Sequence, residues 1–185
     1  MAMRVKTIIN ALSSLLLMLC AQTSYASAAQ ASLDWKNWSM VGQAQLSVLF
    51  FDVYQSRLLT PNGVYQSSDD LSPHPLALAI DYQRDISSQQ LLEATDEQWE
   101  KLGYQTPMRK QWLVQLKSIF PDIKKGQQLA YVTDGQTGQF YYQHKGQVDA
   151  IGTISDETLN DAFLAIWLSP NTQYPKLRKQ LIGVK

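Results

Sequence analysis

VGQAQLSVLFFDVYQSRLLTPNG, Val41 to Gly63, alternates apolar and polar residues through Leu46, Val48 and Phe50, continues through Tyr54 and Arg57, and closes on Thr60-Pro61-Asn62-Gly63. Successive side chains of a strand point to opposite faces, so this period predicts a strand over Ser39 to Leu49 with one buried face. After a bend, Phe51 to Leu59 is predicted as its neighbour. Pro61 presets φ and Asn62-Gly63 tolerates positive φ, which makes the end of the stretch a turn. Upstream, Ala29 to Asn37 reads as a leader whose Trp35 and Trp38 are available to pack on the strands beyond it.

Working outward, polar Val64 to Pro75 reads as a surface loop and apolar Leu76 to Tyr82 as a central strand. Ser87 and Gln90 form a capping box with Ile86 and Leu91 at staple positions, and a stripe of Leu91, Leu92, Thr95, Trp99 and Leu102 runs on to Gly103. Thr106-Pro107 starts a second helix with Met108, Trp112, Leu113, Leu116, Ile119 and Phe120 on its face, ended by Pro121. Gly126 to Asp134 and Gln139 to His144 read as a hairpin joined by Gly135 to Gly138, with Val148 to Ile151 as a short edge segment. Ser155 is expected to cap a third helix burying Leu159, Ala162, Phe163, Ile166 and Trp167, and Pro175 to open a last one running through Leu181. Strands and helices in this order predict an α+β domain, an antiparallel sheet covered by helices.

The first 28 residues obey different rules. Arg4 and Lys6 precede an apolar run from Ile8 to Cys20, and small residues lead to Ala26-Ser27-Ala28. This is the pattern of a cleavable secretory signal peptide, with cleavage after Ala28, or after Ala26 in the competing Ser24-Tyr25-Ala26 site. Residues 29–185 are then one exported domain, expected in the periplasm. Cys20 is the chain's one cysteine. A lipoprotein reading would acylate it, but bulky Leu19 precedes it where a small residue is wanted. Without that, the exported part has no thiol and no disulfide, and its core alone must hold it together.

With 45% hydrophobic residues in 185, a sizeable core is available. Beyond residue 28 the chain carries 14 basic and 16 acidic groups, a net charge of −2. That balance argues against nucleic acid and against an anionic membrane surface as partners. The exported part contains no apolar run of about 20 residues, so no membrane span is expected there.

Familiar reaction machinery is not found. The two histidines, His74 and His144, have no second ligand at metal spacing. There is no nucleophile elbow, and Gly135-Gln136-Thr137-Gly138 lacks the lysine and helix of a phosphate loop. No metal or other cofactor is expected. The carboxylate pairs Asp69-Asp70, Asp96-Glu97 and Asp156-Glu157 fall in loops or on helix surfaces, away from a shared cleft. What stands out is Tyr54, Arg57 and Tyr82 on or beside sheet strands. An arginine near tyrosines at the mouth of an apolar cavity can hold a carboxylate or phenolate; equally, Arg57 can pair with Asp52 or Asp81.

Four segments carry a resemblance: Val41-Gly42 to Tyr54-x-x-Arg57-Leu58, the passage from Leu78 through Tyr82 to Arg84-Asp85-Ile86, Phe120-Pro121-Asp122-Ile123-Lys124-Lys125-Gly126, and Phe163 through Trp167 to Ser169-Pro170-Asn171-Thr172. They resemble the exported bacterial branch of the chalcone-isomerase-like proteins over nearly the whole exported part. The resemblance implies an open-faced β-sandwich type of α+β fold with a ligand cleft between sheet and helices. Plant enzymes of this superfamily close a flavanone ring using a strand arginine on the reacting oxyanion, and related plastid proteins bind fatty acids. Here the comparable stretch, Gly42-Gln43-Ala44-Gln45-Leu46, offers no arginine in any register. The leading expectation is therefore a non-catalytic protein holding a fatty acid or other small amphiphile, with Tyr54, Arg57 and Tyr82 as candidate ligand residues. The alternatives are an isomerase or intramolecular lyase on a chalcone-like enone, with Arg57 orienting and Tyr54 donating, and an envelope interaction module. The sequence names no protein partner.

Overall fold

The structure, a computed structural model, describes residues 34–48 and 50–184. The expected signal peptide, with Cys20 and both cleavage sites, lies outside the described residues. Six strands, β1 (Ser39–Val48), β2 (Phe51–Thr60), β3 (Leu76–Tyr82), β4 (Gln128–Thr133), β5 (Gly138–His144) and β6 (Gln147–Ile154), form one sheet in sequence order, each pair of neighbours antiparallel. Helices α1 (Ser88–Lys101) and α2 (Thr106–Lys117) separate β3 from β4, and α3 (Glu157–Leu168) and α4 (Pro175–Leu181) come after β6. This is the expected α+β architecture.

β3 is central and buried on both faces because its two faces serve different layers. Leu76, Leu78, Ile80 and Tyr82 join the core shared with the helices. Ala77 and Ala79 point the other way, where with Ala130 they leave a shallow dish. Trp35, held in a short 3-10 turn over Asp34–Asn37, fills that dish beside Tyr141, and Trp38 packs at its margin. Part of the face without helices is thus covered by aromatic rings.

α3 is apolar nearly all round, as a helix enclosed on most sides must be. Trp99 of α1 is fully buried beneath α2 and donates its indole N–H to the Ala162 carbonyl of α3 at 2.7 Å. Its ring meets Trp112 of α2 edge-on at 5.2 Å, so this one residue joins three helices.

Several expectations needed correction. β1 was expected to bury one face, yet of its residues only Ala44 is buried, and Phe50 beyond it is 96% exposed. β1 is an edge strand interrupted by irregularities between Met40 and Gly42 and between Leu46 and Ser47, which break the two-residue period. The short edge segment is a full strand, β6, and the cap of α3 is Asp156, whose carboxylate accepts the Leu159 N–H at 2.8 Å. Thr106 lies inside α2, which has no side-chain cap, and Met108 is exposed while Arg109 beside it is buried against Asp96 and Glu100. α2 also stops at Lys117, short of Ile119 and Phe120.

The loop before β3 is anchored more deeply than a surface loop. Ser72 is buried, accepts from Asn160 at 2.8 Å and donates to Asp161 at 2.6 Å, while Asn160 accepts the Tyr131 hydroxyl at 2.7 Å. The capping box at Ser87 and Gln90 forms as read, with both reciprocal bonds present.

Gly42 has a packing reason. A Cβ there would lie 2.1 Å from the Gln180 carbonyl oxygen and 2.6 Å from that of Leu181, so the end of α4 rests on the bare backbone of β1. Gly42→Ala is expected to cost about 2 kcal/mol, because backbone atoms must move to admit the methyl group. Chemical denaturation of the two proteins checks this; equal midpoints would show that α4 is free to shift.

Candidate functional site

The two-residue period of β2 and β3 sets the side chains that face the helices. Tyr54 and Tyr82 are direct partners across the β2–β3 ladder, with ring centroids 5.9 Å apart in an edge-on arrangement. Beside them a cavity of about 350 Å³ lies between sheet and helices. Leu46, Ile80 and Leu129 contribute from the sheet, Leu91 and Gln98 from α1, and Phe163 and Ile166 from α3. Most of this surface is hydrocarbon or ring, with polar groups at a few points.

Tyr54 accepts the indole N–H of Trp167 at 2.9 Å, which leaves its own proton free to be donated. The Tyr82 hydroxyl makes no hydrogen bond with any described residue, nor does the Gln98 side-chain amide, although both residues are buried. Burial pushes both phenols well above the ordinary tyrosine range, so they are neutral donors at physiological pH. Arg84, two residues beyond Tyr82, is exposed and stands among the residues lining the cavity.

Arg57 is placed elsewhere. It lies three residues from Tyr54 on the same strand, hence on the opposite face, and pairs with Asp81 at 3.0 Å through Nη2 and 3.2 Å through Nε. Of the pairings open to it from the sequence, the one with Asp81 forms. The structure therefore brings Tyr54 and Tyr82 together and sets Arg57 apart. Sequence reasoning missed Arg84, Gln98 and the hydrogen-bonding part of Trp167. Parity could not have found Arg84, because β3 ends at Tyr82 and Arg84 lies in the bend that follows it.

The stretches that carried the resemblance meet near this cavity. Ile86 and Ile123 exchange both backbone hydrogen bonds, at 2.9 and 2.8 Å. Asp85 accepts the Lys125 N–H at 2.9 Å and the Lys124 ammonium at 3.0 Å, which hold its carboxyl below the usual carboxylate range. Asp122 in turn accepts the Ser88 N–H at the start of α1, at 2.7 Å.

A family model described as chalcone isomerase-like matches residues 23–183. The chain belongs to the chalcone isomerase-like family. It is also 27% identical over 147 residues to an uncharacterized protein of Haemophilus influenzae, an alignment spanning 80% of this chain and 69% of that one. In this chalcone isomerase-like chain, Ala44 is buried towards the helices and Leu46 lines the cavity. Gln43 and Gln45 fall on the other parity, opposite Arg57 and Gln55 of β2. β1 thus presents hydrocarbon to the cavity, with no cation to steady a developing oxyanion. Among the described residues, no group of three or more His, Cys, Asp or Glu is arranged to hold a metal ion, and no helix is long and apolar enough to cross a membrane.

Proposed function

We propose that the protein is a non-catalytic, periplasmic binding protein that holds a fatty acid or a comparable small amphiphile in the cavity between sheet and helices. The observation that carries this reading is the cavity itself, apolar over most of its lining and bordered by Tyr82, whose hydroxyl has no hydrogen-bond partner among the described residues. A volume of about 350 Å³ falls within the range of roughly 300–1,000 Å³ typical of small-molecule sites. Each methylene taken from water contributes about 0.8 kcal/mol, so a medium-length chain binds usefully without special chemistry. Tyr54 and Tyr82 offer neutral donors to a polar head, and Arg84 offers a positive charge at the cavity margin.

Native mass spectrometry of protein recovered from the periplasm of its own cells, with organic extraction of whatever dissociates, tests the reading. The expected result is a protein mass beginning at Ala29, carrying a stoichiometric fatty acid or phenolic compound. An apo mass, with no uptake from a panel of fatty acids and flavonoids, would overturn it and turn attention to an envelope interaction module. A protein retained in the cytoplasm would overturn the location. Tyr82→Phe removes one hydrogen bond and leaves the ring, so ligand affinity should fall about three- to tenfold. Titration with a fluorescent fatty acid measures this, and an unchanged affinity would place the polar head elsewhere.

A further inference from the structure

The hairpin that joins β1 to β2 exposes apolar surface that no described element covers. Val48 is 50% exposed, Phe50 96% and Phe51 66%, side by side at one end of the sheet. An isolated exposed leucine or valine means little, but two aromatic rings at a hairpin tip form a local apolar projection. Phe50 and Phe51 border an open depression together with Asp52, Gln83, Arg84 and Lys125. Neither of these cations has an ion-pair partner among the described residues. Two acidic groups lie close by: Asp85 is engaged by Lys124 and by the Lys125 backbone, and Asp52 accepts the Ser47 hydroxyl at 2.6 Å. Val48 and Arg84 also line the cavity, so the tip stands at its margin.

From this arrangement we infer that the β1–β2 tip docks the protein on an anionic phospholipid surface, Phe50 and Phe51 seated at the boundary of headgroups and acyl chains and Arg84 and Lys125 against lipid phosphates. Local charge decides the occupant: the net charge of −2 beyond residue 28 gives no general attraction to an anionic surface, but Arg84 and Lys125 place two cations beside the exposed rings. Aromatic side chains partition to the boundary of a bilayer, and lysine and arginine reach phosphates from beside it. A narrow tip of two rings is also far smaller than the surface a stable protein–protein interface buries. Docked in this way, the cavity margin faces the acyl chains, which gives an amphiphile a route that avoids bulk water. The docking does not depend on the cavity being filled, so it stands or falls separately from the binding reading.

Vesicle sedimentation tests it, using the purified protein with phosphatidylcholine vesicles and with vesicles of phosphatidylcholine and phosphatidylglycerol in equal parts. Binding is expected on the anionic vesicles, weakened by salt, and reduced at least about tenfold by Phe50→Ser combined with Phe51→Ser. Lys125→Glu should weaken it as well, with thermal unfolding of both variants unchanged because all three positions are exposed. Any binding through the apolar residues 8–20 would survive these substitutions, so survival in the Phe50 and Phe51 double variant overturns the inference. So does a lack of binding by the unaltered protein. Self-association through the tip, seen as a dimer that the double substitution dissolves while vesicle binding is absent, overturns it too.

Discussion

Trp99→Ala lowers the unfolding free energy by about 4 kcal/mol, the largest loss expected from any single truncation considered for this protein. The residue is fully buried, and its removal opens a void between three helices that cannot all close on it. The indole N–H also donates to Ala162 at 2.7 Å, a bond that aligns α1 on α3. Trp99→Phe separates the two contributions: it keeps most of the packing and loses the donor, so a smaller loss is expected. For a chain of this length 4 kcal/mol corresponds to a drop of roughly 8–16 °C in Tm. Calorimetry on both variants checks the order. A Tm for Trp99→Ala within a degree or two of the unaltered protein would mean that the helix layer repacks and that Trp99 is not its linchpin.

The second large effect concerns the cavity. Ala94 lies on the exposed side of α1 and lines the cavity, so it can take a large side chain without displacing buried groups. Ala94→Trp is expected to reduce fatty-acid affinity about a hundredfold, equivalent to about 2.7 kcal/mol, by occupying volume that the ligand needs. Stability should stay within about 0.5 kcal/mol, as for an exposed helical substitution. Displacement of a fluorescent fatty acid reads the first quantity and denaturation the second. Retained affinity with an intact fold would exclude this cavity as the site.

How much of the fold and the site was legible in the sequence depends on which interaction decides each feature. The capping box at Ser87 and the apolar run of β3 were legible because both are local: one needs two side chains three residues apart, the other needs only continuous hydrophobicity. Asp156 displaced Ser155 as a cap because either residue type serves, and tertiary placement decides where α3 begins. Phe50 was read into a buried alternation that the irregularity at Leu46 and Ser47 interrupts, and nothing local announces it. For the site, the pairing of Tyr54 with Tyr82 depends on the register between two strands separated by a long loop, which composition does not specify. The separation of Tyr54 from Arg57 was available, since an odd spacing within one strand puts two side chains on opposite faces. Grouping them by nearness along the chain overlooked that parity.

The seating of α4 on Gly42 also has a temporal side. β1 and β2 are synthesised early and can pair at once as a local hairpin, but the helix that rests on β1 emerges only after every other described element. Until then the backbone of Gly42 is bare, and the nascent sheet presents an uncovered face at β1 to whatever chain lies nearby. Completion of the fold is therefore a late event in the life of each molecule. The first strand made is thus the last to have its helix-side face shielded.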